Sequence, residues 1–356
     1  MKKLESLQYA RAIAAVLVVI DHTVTQFSLY HSTGIPLVDT LLKKTINMGN
    51  IGVYVFFAIS GYIMSYTTKN KTFDFQYALI FLKKRIMRIY PLYWIYLTLF
   101  LSLWAVGIAM RTYHFDVGQI IASYLLIPYG TTNGKITPPV LAQGWTLIYE
   151  MFFYLTFTLL IMLKSNKKII PILLFLIFTS LMIISRYELF NLNEVNIFFS
   201  KWLLLLFVAG IVIERNQETI TRILGNVNNT LLWFSAAVLI LIATYVNKPI
   251  TVDYLLSIII LILILPINQE RKNLLKIGDA SYTIYLSHIF FVMAYGMVVK
   301  SITDITVGII MAIATAVISI IAGIILYDRV GNDSNLLIVF YVQIMPDDFV
   351  MQLHRF

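Results

Sequence analysis

Cysteine is absent from the 356 residues, which removes disulfide frameworks, thiolate nucleophiles and thiolate metal sites from consideration. Charge is scarce as well, at 13% of residues. A chain with so little charge has no surface with which to keep a sizeable soluble domain in water. What fills it instead is apolar: 59% of residues are hydrophobic and mean hydropathy is +0.82, the composition of a protein embedded in a bilayer. A hydrocarbon core about 30 Å thick needs roughly 20 apolar residues per helix, so this length accommodates about ten crossings and little else. Histidines, carboxylates, hydroxyls and cations are left to carry any chemistry. The net charge of +9 is read as Lys and Arg retained in cytoplasmic loops, and no nucleic-acid partner is expected.

Apolar runs predict spans near 7–26, 46–66, 89–110, 144–163, 168–184, 197–213, 230–246, 252–267, 281–299 and 305–327. The fold expected is an all-α integral membrane protein of about ten transmembrane helices. The first run follows Lys2 and Lys3 as a signal peptide would, but it carries Arg11, Asp21 and His22 and no clear small-residue cleavage site, so it reads as a retained helix. With the N-terminus inside, eighteen Lys and Arg fall in inner segments and eight in outer ones, with Arg11 inside a span, accounting for all 27. That asymmetry predicts an even number of crossings and both termini cytoplasmic. No repeat or linker divides the chain.

The informative residues are those a lipid-facing helix would not keep, because a charge at the bilayer centre costs at least about 2.5 kcal/mol. Arg11 and His22 are eleven residues apart, almost three turns, so they project from nearly one face about 16 Å apart along the axis. Against this stands the plainer reading in which Arg11 snorkels to the headgroups and His22 is a satisfied core histidine. Glu150 follows Trp145 in the fourth span, roughly 9 Å from its outer end by residue count. Counted in the same way, His22 sits at a matching depth, so the two are expected to meet as a general base and its orienting carboxylate. The alternative for Glu150 is a structural carboxylate bonded to another helix.

Three further elements stand out. Ser60 and Gly61, in Phe56-Phe57-Ala58-Ile59-Ser60-Gly61-Tyr62, put a hydroxyl and a small residue in the second span, where small residues permit close helix approach. The basic run Lys83-Lys84-Arg85-Ile86-Met87-Arg88-Ile89-Tyr90-Pro91 marks the cytoplasmic mouth of the third span. Arg85 and Arg88 share a helix face suited to phosphates, although positive-inside anchoring explains such clusters equally. Finally, Ser281-Tyr282-Thr283-Ile284-Tyr285-Leu286-Ser287-His288 brings a second histidine into the ninth span on a polar face that suggests a cavity.

Taken in order, Leu7-Gln8-Tyr9-Ala10-Arg11 to His22, Phe56 to Tyr62, Arg85 to Pro91, Trp145 to Glu150 with Tyr154, and Ser281-Tyr282 to His288 resemble the acyltransferase 3 family of multispanning membrane acyltransferases. The opening Gln-Tyr and Arg-Ala-Ile-Ala-Ala run is most similar to the exopolysaccharide and O-antigen O-acetyltransferase branch. The resemblance covers residues 4 to about 328. It implies a membrane acyltransferase domain over 1–328, followed by a tail, 329–356, without an assigned role.

The resemblance further implies a multi-pass enzyme of the bacterial cytoplasmic (inner) membrane. It would transfer an acyl group, most often acetyl, from cytoplasmic acyl-CoA to a hydroxyl of a lipid-linked or extracytoplasmic glycan. Acetyl-CoA would then be a donor substrate, with no permanently bound cofactor and no metal. By matching position, His22 is the expected catalytic histidine and Glu150 the catalytic acidic residue. Arg11 is the partner of His22, and Arg85 and Arg88 are the donor-side arginines. Ser60, Gly61, Tyr90, Trp145, Tyr285 and His288 are expected around the substrates. Two departures are visible: Asp21 precedes His22 where the family more often has an apolar or aromatic residue, and the last span ends Tyr327-Asp328-Arg329 where a Glu-Arg-Pro ending is common. The competing class is a transporter or flippase, since intramembrane charges also mark permeation paths. It would be expected to show inverted repeats and paired broken helices. A glycan polymerase would carry larger basic outer loops.

Overall fold

The computed structural model describes residues 5–110 and 113–330; the tail 331–356 lies outside them. In chain order the helices are α1 (Glu5–Tyr30), α2 (Pro36–Thr45), α3 (Met48–Thr68), α4 (Phe75–Ala105) and α5 (Val117–Leu125). A short hairpin, β1 (Tyr129–Thr132) and β2 (Lys135–Thr137), precedes α6 (Gly144–Met162), α7 (Ile170–Arg186), α8 (Asn193–Phe199) and α9 (Leu203–Arg215). The chain continues through α10 (Gln217–Leu224), α11 (Asn229–Tyr245), α12 (Ile250–Ile264), α13 (Lys272–Asp279), α14 (Ser281–Val299) and α15 (Ile305–Val330). The protein is an all-α integral membrane protein.

Each of the ten apolar runs carries a helix, but they are not ten equal spans. Among the described residues eight segments are long and apolar enough to cross: Glu5–Tyr30, Pro36–Thr68, Phe75–Ala105, Gly144–Met162, Lys167–Arg186, Asn193–Arg215, Ser281–Val299 and Ile305–Arg329. The pair α10 and α11 qualifies only jointly, across a bend of 112°, and α12 is shorter. At 1.5 Å per residue, the 15 residues of α12 cover only about 22 Å, short of a hydrocarbon core. Conversely, α4 starts well before its apolar run because Asp74 caps it, accepting from the Tyr77 backbone N–H at 2.7 Å. The basic run 83–88 is therefore helical, with Pro91 inside the same helix.

The core is made by helices that touch backbone to backbone. A Cβ on Gly61 would lie 1.9 Å from the Phe207 carbonyl oxygen, and one on Gly210 1.8 Å from that of Ala58. The α3–α9 crossing thus depends on glycine from both sides, the close approach that small residues permit within a bilayer. By contrast α15 exposes a row of isoleucines and valines along its length, as a helix facing lipid does. The hairpin between α5 and α6 turns at Asn133-Gly134, both at positive φ, the backbone a two-residue hairpin turn requires.

Candidate functional site

Register between α1, α3 and α14 sets the depth of every polar group. A Cβ on Gly52 would lie 2.5 Å from the Ala14 carbonyl oxygen, and one on Gly49 2.5 Å from Asp21 Oδ2. Hence α3 runs antiparallel to α1, and Ser60, about two turns beyond Gly52, arrives at the level of Arg11. Meanwhile α14 runs alongside α1 in the same direction, since Gly278 packs on the Gln8 backbone and His288 on His22.

Glu150 joins the Arg11 level. Ser60 Oγ donates to Glu150 Oε1 at 2.7 Å, and the Tyr154 hydroxyl donates to the same oxygen. Arg11 and Arg85 both act on the Glu150 charge through space. A cavity is lined here by Arg11, Ser60, Arg88, Glu150, Tyr154, Tyr282 and Tyr285, with Phe56 and Thr146. Tyrosine hydroxyls tie its walls together: Tyr282 donates to the Ile89 carbonyl at 2.8 Å, and Tyr285 pairs with Thr146 Oγ1 at 2.9 Å and donates to the Gln143 carbonyl at 3.1 Å. At the edge of this level Asp279, the last residue of α13, has its carboxyl pushed up by burial, with Arg11 opposing the shift.

His22 does not meet Glu150. Its Nδ1 lies 2.9 Å from the Val18 carbonyl, one turn back, and 3.6 Å from Asp21 Oδ2. Its ring packs edge-on against His288, with centroids 5.1 Å apart at 69°. Depth counted from the start of α6 misplaces Glu150, because that start is not at the membrane surface. In fact Gln143, just before α6, is buried and bonded to Tyr285, only four residues into α14. The loop ahead of α6 therefore enters the bundle and carries Glu150 about 16 Å along α1 away from His22, to the Arg11 level.

The other expected residues divide. Arg11, Ser60, Arg88 and Tyr285 line the cavity. Arg85 is nearly buried, its guanidinium 5.3 Å from the Phe81 ring centroid and 5.7 Å from that of Tyr154. It stands behind the wall, so the two arginines do not form one fork. Tyr90 faces away, donating to the Leu125 carbonyl at 2.9 Å and lining a second, apolar pocket. Trp145 packs edge-on against Phe57 and Tyr149, and Gly61 serves the α3–α9 crossing. His288 is fully buried, its Nδ1 3.1 Å from the Ile284 carbonyl. Tyr154 and Tyr282, not among the expected site residues, also line the cavity. Tyr154 was findable, because it lies one turn after Glu150 on the same face.

Chemically, the two levels differ. A carbonyl oxygen only accepts, so a neutral His22 carries its proton on Nδ1 and presents an unprotonated Nε2. The cavity instead offers guanidinium groups of Arg11 and Arg88 to an anion. Residues 4–327 match the sequence profile of the family described as Acyltransferase domain, Acyl_transf_3. Over 166 residues the chain is 30% identical to the Exopolysaccharide production protein ExoZ of Rhizobium meliloti (strain 1021), covering 47% of this chain and 50% of that protein. The chain thus spans about half the length of this curated relative. No solved structure gives a significant match.

Proposed function

The chain belongs to the acyltransferase 3 family, and from that premise we propose that it is a membrane acyltransferase that moves an acetyl group from acetyl-CoA to a hydroxyl of a cell-surface polysaccharide or its lipid-linked precursor. One observation carries the reading: a cavity lined by Arg11 and Arg88 lies on the N-terminal side of the bundle, and an imidazole with an available Nε2 lies farther along the same helix. CoA is polyanionic, and guanidinium groups in a partly dehydrated cavity are suited to its phosphates. The printed name of the ExoZ relative supports an exopolysaccharide acceptor, and the charge asymmetry of the loops supports donor entry from the cytoplasm of a bacterial inner membrane.

In this reading His22 Nε2 takes the proton of the acceptor hydroxyl as its oxygen attacks the thioester carbonyl carbon. The carbon–sulfur bond then breaks and the imidazolium returns the proton to the CoA thiolate. A route in which Nε2 first accepts the acyl group uses the same nitrogen. Arg11 and Arg88 hold the donor, Glu150 balances and orients their charge, Ser60 and Tyr154 bond Glu150 from the cavity wall, and Arg85 supports it from behind.

The test is incubation of the purified protein in sealed vesicles of known orientation with radiolabelled acetyl-CoA and a lipid-linked glycan. Acetyl-CoA is expected to support transfer from the cytoplasmic face alone, with acetylated product on the other. Movement of glycan without acetylation would assign the chain to transport instead, and equal activity from either face would refute the two-sided arrangement.

A further inference from the structure

Beside His22 the bundle has a surplus of hydrogen-bond acceptors. Asp21 Oδ1 and His288 Nε2 are both buried, and neither has a hydrogen-bond partner among the described residues. His288 spends its only ring proton on the Ile284 carbonyl, so a neutral ring leaves Nε2 able only to accept. Asp21 directs Oδ2 toward His22 Nδ1 and the Gly49 backbone, leaving Oδ1 unused. A buried acceptor without a donor is costly, and two of them stand beside His22, whose side chain remains 37% exposed. Room for the carboxylate is provided deliberately, since any Cβ at position 49 would strike Oδ2 at 2.5 Å.

We infer that Asp21, together with His288, forms a subsite that receives the acceptor's hydroxyls on either side of the one presented to His22. The inference rests on the reading of His22 as the group that engages the acceptor, and deepens it by specifying the acceptor's chemistry. What satisfies two acceptors around a third is a ligand carrying several O–H donors on adjacent carbons, which is a sugar ring with a free hydroxyl next to the acylated one. A thioester carries no such donors, so this end of the path belongs to the acceptor. The terminal torsion of an aspartate is broad, so Oδ1 can turn toward the open side of His22 without leaving its rotamer. Asp21 acts here as a specificity-determining residue.

The experiment uses the full chain in proteoliposomes with radiolabelled acetyl-CoA and the lipid-linked glycan fraction of the source membranes. Asp21→Ala is expected to raise the acceptor KM by about tenfold, the loss of a hydrogen bond, while the acetyl-CoA KM stays within about twofold. Asp21→Asn, which keeps an oxygen at the same place, should recover part of the loss, and His288→Gln should outperform His288→Phe for the same reason. An unchanged acceptor KM in Asp21→Ala overturns the subsite, as does a fall confined to kcat, which would make Asp21 a tether for His22. A second readout needs no turnover: the glycan should protect His22 from diethyl pyrocarbonate in the wild type and fail to do so in Asp21→Ala. Wild-type protein that shows this protection yet transfers nothing would sink the proposed reaction and leave the subsite standing. Absence of protection in the wild type would sink the subsite alone.

Discussion

The Arg11–Glu150 level and the His22–His288 level, about 16 Å apart along one helix, solve the problem of polarity inside a membrane in opposite ways. At the first, cations, a carboxylate and hydroxyls largely compensate one another: Ser60 and Tyr154 satisfy Glu150 and tyrosines are bonded across helices, with Arg85 Nε and Ser281 Oγ left over. At the second, two imidazoles and a carboxylate stand together with acceptor atoms left over. A compensated site binds and holds, because its charges are already oriented by neighbours. An under-compensated one is a place where a ligand completes the network, and intramembrane groups of this kind are by default functional.

The largest expected effect breaks the second level. His22→Ala should reduce acyl transfer by about 10²-fold to 10⁴-fold, the span for loss of a positioned proton acceptor, with membrane insertion and CoA binding intact. Wild-type glycan acetylation by a well-expressed variant would remove His22 from the reaction. Breaking the first level should instead be felt in donor binding and stability together. Glu150→Ala uncovers the Ser60 and Tyr154 hydroxyls and leaves nearby guanidinium groups unbalanced, at a cost of about 3 kcal/mol, and Glu150→Gln should be milder because it keeps an acceptor. Thermal unfolding in detergent, read beside the acetyl-CoA KM, checks both.

Gly210→Ala touches neither level and serves as the contrast. Its Cβ would meet the Ala58 carbonyl oxygen at 1.8 Å, forcing α3 and α9 apart at a cost of about 1–3 kcal/mol. Donor and acceptor functions should therefore fall in parallel, in proportion to lost folded protein; a selective loss of one would show that the crossing tunes the site.

A finer separation compares the arginines. Since Arg88 lines the cavity and Arg85 stands between Phe81 and Tyr154, Arg88→Lys should raise the acetyl-CoA KM by about fivefold through loss of its planar fork. Arg85→Lys should act mainly on stability. Equal effects on KM would mean that both reach the donor.

The smallest effect lies outside the bundle, at the α5 and hairpin segment. Asp116 caps α5 by accepting from the Gln119 N–H at 2.8 Å and from the Tyr129 hydroxyl at 2.7 Å, and these bonds hold its carboxyl below the usual carboxylate range. A depressed folded value means the contribution is present above the unfolded pKa and lost as pH falls through the folded one. Asp116→Ala should therefore lower the melting temperature slightly at neutral pH and leave it unchanged in strong acid, whereas donor binding and acyl transfer stay as in the wild type.

Composition alone required a membrane protein, and the apolar runs located a helix in every case, because a bilayer allows the backbone few other ways to satisfy its own hydrogen bonds. The polar residues inside those runs were equally legible: Arg11, His22, Glu150, Arg88 and His288 are costly in lipid and announce themselves. Tyr154 was within reach of helical periodicity. Which of these residues meet was beyond the sequence, because depth counted along one helix assumes that the helix begins at the membrane surface. The buried Gln143 and its bond to Tyr285 show that α6 begins inside the bundle, which moved Glu150 from His22 to Ser60 and Arg11. Likewise nothing in the sequence pairs Asp21 with Gly49. Their fit, a carboxylate filling the space a missing side chain leaves, exists only once α1 and α3 are packed in register, since non-local contacts have no signature along a single chain.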